Sequence, residues 1–455
     1  MPDVDALPAQ THSLPVKQRI AMGQALREKC KRRDHAGWDA PTNRRDPIDI
    51  LIEQGKTRLQ ELLPVRYSRM SASAFAFMRG AAAVMASDLA TTPSSGLPVL
   101  AAGDCHCLNF GGFATPERRL AFDINDFDET SLAPWEWDVK RLATSFVVAT
   151  LDEFDKQTRL GLAVTVASAY RETMAEIAVS PILDTWYRVL SLDRSGSAAS
   201  IGLDPKTVSK ADHELKHKPL LIDIEASEGP DPKIKDKRPD LYHWDKPGFE
   251  RDVKAMLAQY QQSLIPERRA LIERYRFADC ALKVVGVGSV GTLCGVALMV
   301  SGNSETLQLQ FKEADASVLE AFNGRSPYAN HGERVVRGQR LLQAASDILL
   351  GFGVGPGGRD FYVRQLRDAK IKPVLDDLPV RSFRRYARTC GEVLARAHAR
   401  SADAVVLSAY LGKAASFDQA IGRFAHDYAR QTVRDHAALL QAIRDGRLPV
   451  ASQDS

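Results

Sequence analysis

The chain lacks any apolar run approaching the roughly 18 residues that a membrane helix needs, and its first residues, MPDVDALPAQTHSLPVKQRI, have no signal-peptide core. A membrane protein is therefore not expected. It also lacks a charge bias: 61 Lys and Arg stand against 57 Asp and Glu, a formal +4 over 455 residues, which gives no footprint for nucleic acid or an anionic lipid surface. Cysteine is sparse, with six scattered residues and no repeated CxxC spacing, so a cytoplasmic protein with reduced thiols is expected. Cys105-His106-Cys107 is too tightly spaced for a tetrahedral zinc site and has no second ligand pair. Internal repeats and long low-complexity tracts are missing as well.

What is present is an ordinary globular composition, 44% hydrophobic and 26% charged, long enough for two or three domains. Residues 1–45 read as a polar arm with a helix near Lys17–Lys31. Apolar spacing predicts helices over Asp46–Leu63, closed by Pro64, and over Ser73–Leu89, 134–151 and 157–182. Arg66 and Arg69 precede the second of these and Arg79 lies within it, where they could pair with carboxylates or meet phosphate. Residues 194–246 are rich in Lys, Asp and Pro and read as an insertion with one short strand at PLLIDI. A helix over Phe249–Tyr275 precedes a β-rich part, 276–368, with three antiparallel strands, a short helix at Ala316–Phe322, a helix over Glu333–Leu350, a GFGVGPGG turn and a strand at RDFYVRQL. Residues 369–455 return to helix, over Val380–Arg400 and Phe417–Ile443. The expected class is α+β, with a helical large lobe over 46–275 and a small antiparallel β lobe.

Chemistry-bearing side chains crowd into Gly103–Glu129, GDCHCLNFGGFATPERRLAFDINDFDE: Asp104, His106, Asn109, Asp123, Asp126, Asp128 and Glu129. Hard oxygen donors of this kind favour Mg²⁺ or Mn²⁺ over zinc. A second constellation lies downstream. Gly286, Gly288 and Gly291 form a GxGxxG pattern around Ser289, but a β-like run follows where a dinucleotide-binding fold needs a helix. Twenty-one residues beyond Gly291 stands the basic Lys312, amid the apolar alternation of Leu307, Leu309 and Phe311. A glycine hairpin whose backbone approaches phosphates, with a lysine on the third strand, accounts for both features. Such a lysine needs a carboxylate to hold it; Glu320 and Glu333 are the candidates, and Glu333 is taken.

GDCHCLN resembles the HGDLHxxN loop of aminoglycoside and choline kinases, with the same five-residue step from Asp104 to Asn109. The resemblance implies Asp104 as catalytic base and Asn109 as a metal ligand. DFDE resembles that family's IDFD/IDWE segment, which implies Asp126, with Asp128, as metal ligands. Asp138 stands 12 residues beyond Asp126, as the family's second aspartate does, and is expected to anchor the catalytic loop. The catalytic loop here precedes the glycine hairpin, so the implied fold is a circularly permuted kinase. In it Tyr362–Leu366 leads to the hinge, and Gly391–Arg400 resembles the helix that normally precedes the catalytic loop. From Arg44 onward the chain also resembles the bacterial domain-of-unknown-function 2252 family, through PVRYSRM, FAFMRGAAAVMASDLA, GDxHxxNFG, DINDFDE, PWEWDVKRLA, VVGVGSVGT, GQRLLQAASD and RDFYVRQLRD.

The expected function is ATP- and Mg²⁺-dependent phosphotransfer to an unidentified small-molecule or protein hydroxyl. Nucleotidyl transfer from the same site and a nucleotide-binding pseudokinase are the alternatives. His106 is expected to orient the loop, and Lys140 and Arg141 either to reach phosphate or to form ion pairs.

Overall fold

The computed structural model describes residues 9–192, 203, 205–217, 222–227, 229, 231–284, 286–366, 371–375 and 378–451. Parts of the expected 194–246 insertion, including Pro219–Leu221 of its expected strand, lie outside the described residues, as do residues 367–370, just beyond the strand expected to lead to the hinge. The fold is α+β, helices and antiparallel sheets. No described helix is long and apolar enough to cross a membrane.

In chain order, a single helical turn at Ala9–His12 precedes α1 (Val16–Lys29). It is no loose arm. Arg19 pairs with Asp403 at 2.6 Å, Arg27 donates to the carbonyl of Tyr410, and Cys30, His35 and Trp38 are buried just beyond it. The expected helix over Asp46–Leu63 stops at Gly55, and Pro64 sits in the first turn of the next helix, α2 (Leu63–Ser71). Proline is tolerated there because a first-turn N–H has no helical partner to lose. The Ser73–Leu89 helix is likewise two, α3 (Ala74–Gly80) and Ala82–Leu89, broken at the non-helical Ala81.

Two short antiparallel pairs follow: β1 (Pro98–Ala101) with β4 (Ser131–Pro134), and β2 (Phe110–Ala114) with β3 (Leu120–Ile124). They carry the acidic stretch on their connections. α4 (Trp135–Val148) is buried along its whole length beneath them. α5 (Lys156–Ile177) ends short of Ile182, where a separate helix, Ile182–Tyr187, begins. These elements share one large core with three helices from the far end of the chain, α8 (Val380–Ala399), α9 (Ala404–Leu411) and α10 (Ser416–Arg444). The α9 helix lies where only a connector was expected.

A second core lies under a six-stranded antiparallel sheet. Its strands are β5 (Leu241–Tyr242), β6 (Tyr275–Lys283), β7 (Cys294–Ser301), β8 (Thr306–Glu313), β9 (Gly351–Val354) and β10 (Asp360–Gln365), in the order β9-β10-β8-β7-β6-β5. The expected helix over Phe249–Tyr275 is α6 (Phe249–Ser263) and a short second helix from Pro266; Tyr275 already belongs to β6. α7 (His331–Leu342) is shorter than expected, and part of the GFGVGPGG turn is strand β9. Between the two cores lies the cleft.

Candidate active site

One cavity of about 640 Å³ separates the helical core from the sheet. Asp104, Asn109, Asp126 and Asp128 line it from the helical side, and Gly286, Gly288, Ser289 and Lys312 from the sheet side. Residues some two hundred positions apart in the chain thus meet across one space. Gly291 and Glu333 do not line it.

The loop bearing Asp104 is fixed from below. Asp138, on the buried first turn of α4, accepts the amide protons of Ala102 at 2.6 Å and Gly103 at 3.0 Å. His398 of α8 reaches the same carboxylate at 3.1 Å. Gly103 has φ +84, and a Cβ on it would collide with the carbonyl of Glu129, so this sharp entry to the loop requires glycine. Asn109 donates through Nδ2 to the carbonyl of Asp104 at 2.7 Å, which leaves its amide oxygen as the end available to a cation.

Asp104 itself is held by the buried Arg141, whose Nε donates to Oδ1 at 2.8 Å and whose Nη2 meets the same oxygen. Its other oxygen, Oδ2, faces the glycine hairpin, 3.8 Å from where a Cβ on Gly288 would lie. Arg141 is therefore a positioning partner of Asp104 rather than a phosphate ligand. Lys140 points away, to Thr92 at 2.8 Å and over the ring of Phe424. His106 lies 3.7 Å from Asp104 Oδ2, and burial pushes its imidazole down to about 4, so the ring is neutral at pH 7.

Lys312 sits between the two downstream carboxylates, in contact with Asp128 Oδ2 and 4.0 Å from Asp126 Oδ2. Burial alone would lower the ammonium, but Asp126 and Asp128 outweigh it and hold it well above its ordinary value. Asp128 is raised by burial and by the like charge of Asp126. It also accepts the hydroxyl of Tyr362 at 2.8 Å and, at 3.4 Å, that of Ser289 from the glycine hairpin. Two carboxylates converging on one cation mark a place where positive charge is favoured. No set of three or more His, Cys, Asp or Glu side chains is arranged to hold a metal among the described residues. The donors Asp126, Asp128 and Asn109 still fit Mg²⁺, which typically takes one or two carboxylates and completes its shell with phosphate and water. Asp123 is not among them: it is buried, salt-bridged to Arg396, and accepts the amide of Ala344 at 2.8 Å.

Glu333 does not hold Lys312. From the first turn of α7 its carboxylate pairs with Arg337 one helical turn on, at 2.7 Å, because that spacing places both on the same outer face. Glu320, the other candidate, lies 3.5 Å from Arg334. Arg334 in turn donates to the carbonyls of Asp128 and Thr130, so α7 supports the acidic loop through an arginine. Gly291 serves the hairpin from behind. It has φ +93, its carbonyl accepts the amide of Leu59 at 2.7 Å, and Arg58 fills the space a side chain would need.

Sequence reasoning missed Tyr362, Gln310 and Arg364. The register pairs Lys312 with Tyr362 and Gln310 with Arg364, so alternation puts all four on one face of the sheet once β8 and β10 are known to be neighbours. It also missed Arg58, Lys283 and Lys372 as lining residues, which no local pattern distinguishes from surface cations. A family model described as "Uncharacterized protein conserved in bacteria (DUF2252)" matches residues 58–442. Nothing among curated proteins or solved structures matches the chain.

Proposed function

The chain belongs to this DUF2252 family, and from the cavity its matched residues form we propose an ATP- and Mg²⁺-dependent phosphotransferase with a circularly permuted, kinase-like arrangement. One observation carries the reading: Asp104, Asn109, Asp126, Asp128, the Gly286–Ser289 segment and Lys312 share one cavity although the chain supplies them in inverted order. A cavity of this size suits a nucleotide with a small acceptor.

Asp104 Oδ2 accepts the proton of the acceptor hydroxyl. The acceptor oxygen then forms its bond to the γ-phosphorus as the bridging P–O bond breaks, leaving ADP. Arg141 keeps the Asp104 carboxylate turned toward that hydroxyl, and Asp138 keeps the loop in place. Backbone amides of the glycine hairpin and the Lys312 ammonium bind the phosphates. Asp126, Asp128 and Asn109 would hold Mg²⁺, which supplies charge neutralisation on the phosphoryl group. Such chemistry depends mainly on positioning and electrostatics.

The test incubates the protein with Mg²⁺ and ATP labelled at the α- or the γ-phosphate, beside Asp126→Ala and Asp104→Asn. Release of ADP or transfer of γ-label, reduced at least about a hundredfold in both variants, is expected. Transfer of α-label to protein would replace phosphoryl by nucleotidyl transfer. No rise in melting temperature with Mg²⁺ and ATP would overturn the nucleotide reading.

A further inference from the structure

One part of the cavity wall has its own chemistry. Arg58, Arg79, Gln54 and Gly80 line it, and the fully buried Arg66 stands directly behind, donating to the carbonyl of Gly80 at 3.0 Å and to Gln54 at 3.4 Å. None of the three arginines has a carboxylate within salt-bridge reach among the described residues. Arg66 Nε and Nη1 and Arg79 Nε are buried without a hydrogen-bond partner. Arg58 donates through Nη1 to the carbonyl of Val290 at 2.6 Å, and its further nitrogens are not among the buried unpaired atoms.

Three guanidinium groups without local counter-ions are costly to bury, and each is pushed down by that burial. Arg58 and Arg66 also repel one another, with partial relief from Glu129, Asp315 and Glu313 at longer range. The acids that line the cavity are otherwise engaged: Asp104 with Arg141, Asp126 and Asp128 with Lys312, Asp240 with Arg69 at 3.7 Å, and Glu129, which accepts the amide of Val318 at 2.8 Å and is pushed up by burial to about 7. An anion is the missing complement. The position of Arg79 decides which one. It shares the cavity with Asp104 and interacts electrostatically with it, and its own carbonyl lies 3.2 Å from where a Cβ on Gly288 would be. An anion held by Arg79 lies beside Asp104, where the acceptor hydroxyl must also come, and beside the glycine hairpin.

We infer that the acceptor carries an anionic oxygen group, phosphate or carboxylate, bound by Arg58 and Arg79 with Arg66 behind them. This rests on the phosphotransferase reading. It excludes a polycationic acceptor such as an aminoglycoside, to whose kinases the catalytic loop is similar.

Melting temperature is followed with saturating Mg²⁺ and a non-hydrolysable ATP analogue, then with glycerol 3-phosphate, citrate, glycerol or spermidine added. A further rise with glycerol 3-phosphate or citrate, and none with glycerol or spermidine, is expected; the stronger of the two anions identifies phosphate or carboxylate. Arg79→Gln should weaken that anion about ten- to hundredfold by titration, while the nucleotide-induced rise in the same variant verifies its folding. Stabilisation by spermidine alone, or an anion response that Arg79→Gln does not weaken, would overturn the inference. An anion response that disappears once the analogue is bound would also overturn it, because the arginines would then belong to the nucleotide. If the analogue itself gives no rise, the nucleotide reading fails separately, and the anion arm is read alone by the same criterion.

Discussion

Replacing Lys312 by methionine removes the cation shared by Asp126 and Asp128 while keeping most of the side-chain volume in a buried strand. Two carboxylates then lose their nearest ammonium and keep Arg364 as a cation in the same cavity. Breaking a buried ion pair by deleting one partner costs about 3–5 kcal/mol. The Asp128 side chain is 25% exposed, so water relieves part of this and about 3 kcal/mol is expected. At roughly 2.1 cal/mol/K per residue, the unfolding entropy of 455 residues is about 1 kcal/mol/K, so the melting temperature should fall about 3 °C. A divalent cation should repair the loss. A ligand at a hundred times its dissociation constant contributes about 2.7 kcal/mol, and the variant offers it two carboxylates that no longer bind an ammonium. Differential scanning fluorimetry in EDTA and in excess Mg²⁺ measures both effects. The reasoning is refuted if the variant melts within about 1 °C of wild type in EDTA, or if Mg²⁺ raises both proteins equally.

Asp138→Ala should destabilise by at least about 3 kcal/mol, because two buried amides and His398 lose their acceptor at once; an unchanged denaturation midpoint would contradict this. Glu333→Gln should leave nucleotide affinity within about twofold, since its partner is Arg337 and not Lys312, and a tenfold loss by calorimetry would restore the discarded pairing. His243 lies between Asp236 and Asp279; burial lowers its imidazole, but the two carboxylates outweigh it and raise it overall. Its folded value thus exceeds the unfolded one near 6.5, so its contribution is present below that pH and is lost as pH rises through the folded value. His243→Asn should flatten the difference in melting temperature between about pH 6 and about pH 8.5; an unaltered difference would refute it.

The sequence made the α+β class and the membership of the cavity legible because both depend on short-range patterns. Asp104, Asn109 and Asp126 sit at fixed steps along one loop, and the strand carrying Lys312 alternates visibly. Asp138 was legible for the same reason, and it anchors the loop as that spacing implied. Pairings set by tertiary packing were not legible. Arg141 follows Asp138 by one helical turn, which gives no hint that it clasps Asp104. Glu333 has the right residue type on the right helix, but its azimuth turns it outward. Helix ends failed where local geometry overrides periodicity, as at Ala81, whose φ of −115° and ψ of 37° break an otherwise unbroken alanine-rich pattern. The β-strand at Gly351–Val354 reads as a turn because its glycines pack against α6, where Tyr260 leaves no room for side chains at Gly351.

The hydrogen bond between Asp138 and His398 spans 260 residues of chain. During synthesis at about 5–20 residues per second, roughly 13–50 s pass between the two residues. Through that interval the loop bearing Asp104 exists without the histidine that helps fix its anchor, and α8 and α10 have yet to cover α4 and α5. The order of translation thus has the loop bearing Asp104 made well before the contact that helps to lock it. A ribosome stalled before α8 would leave a chain in which Asp104, Asp126 and Asp128 are all present and the cavity they line is unassembled.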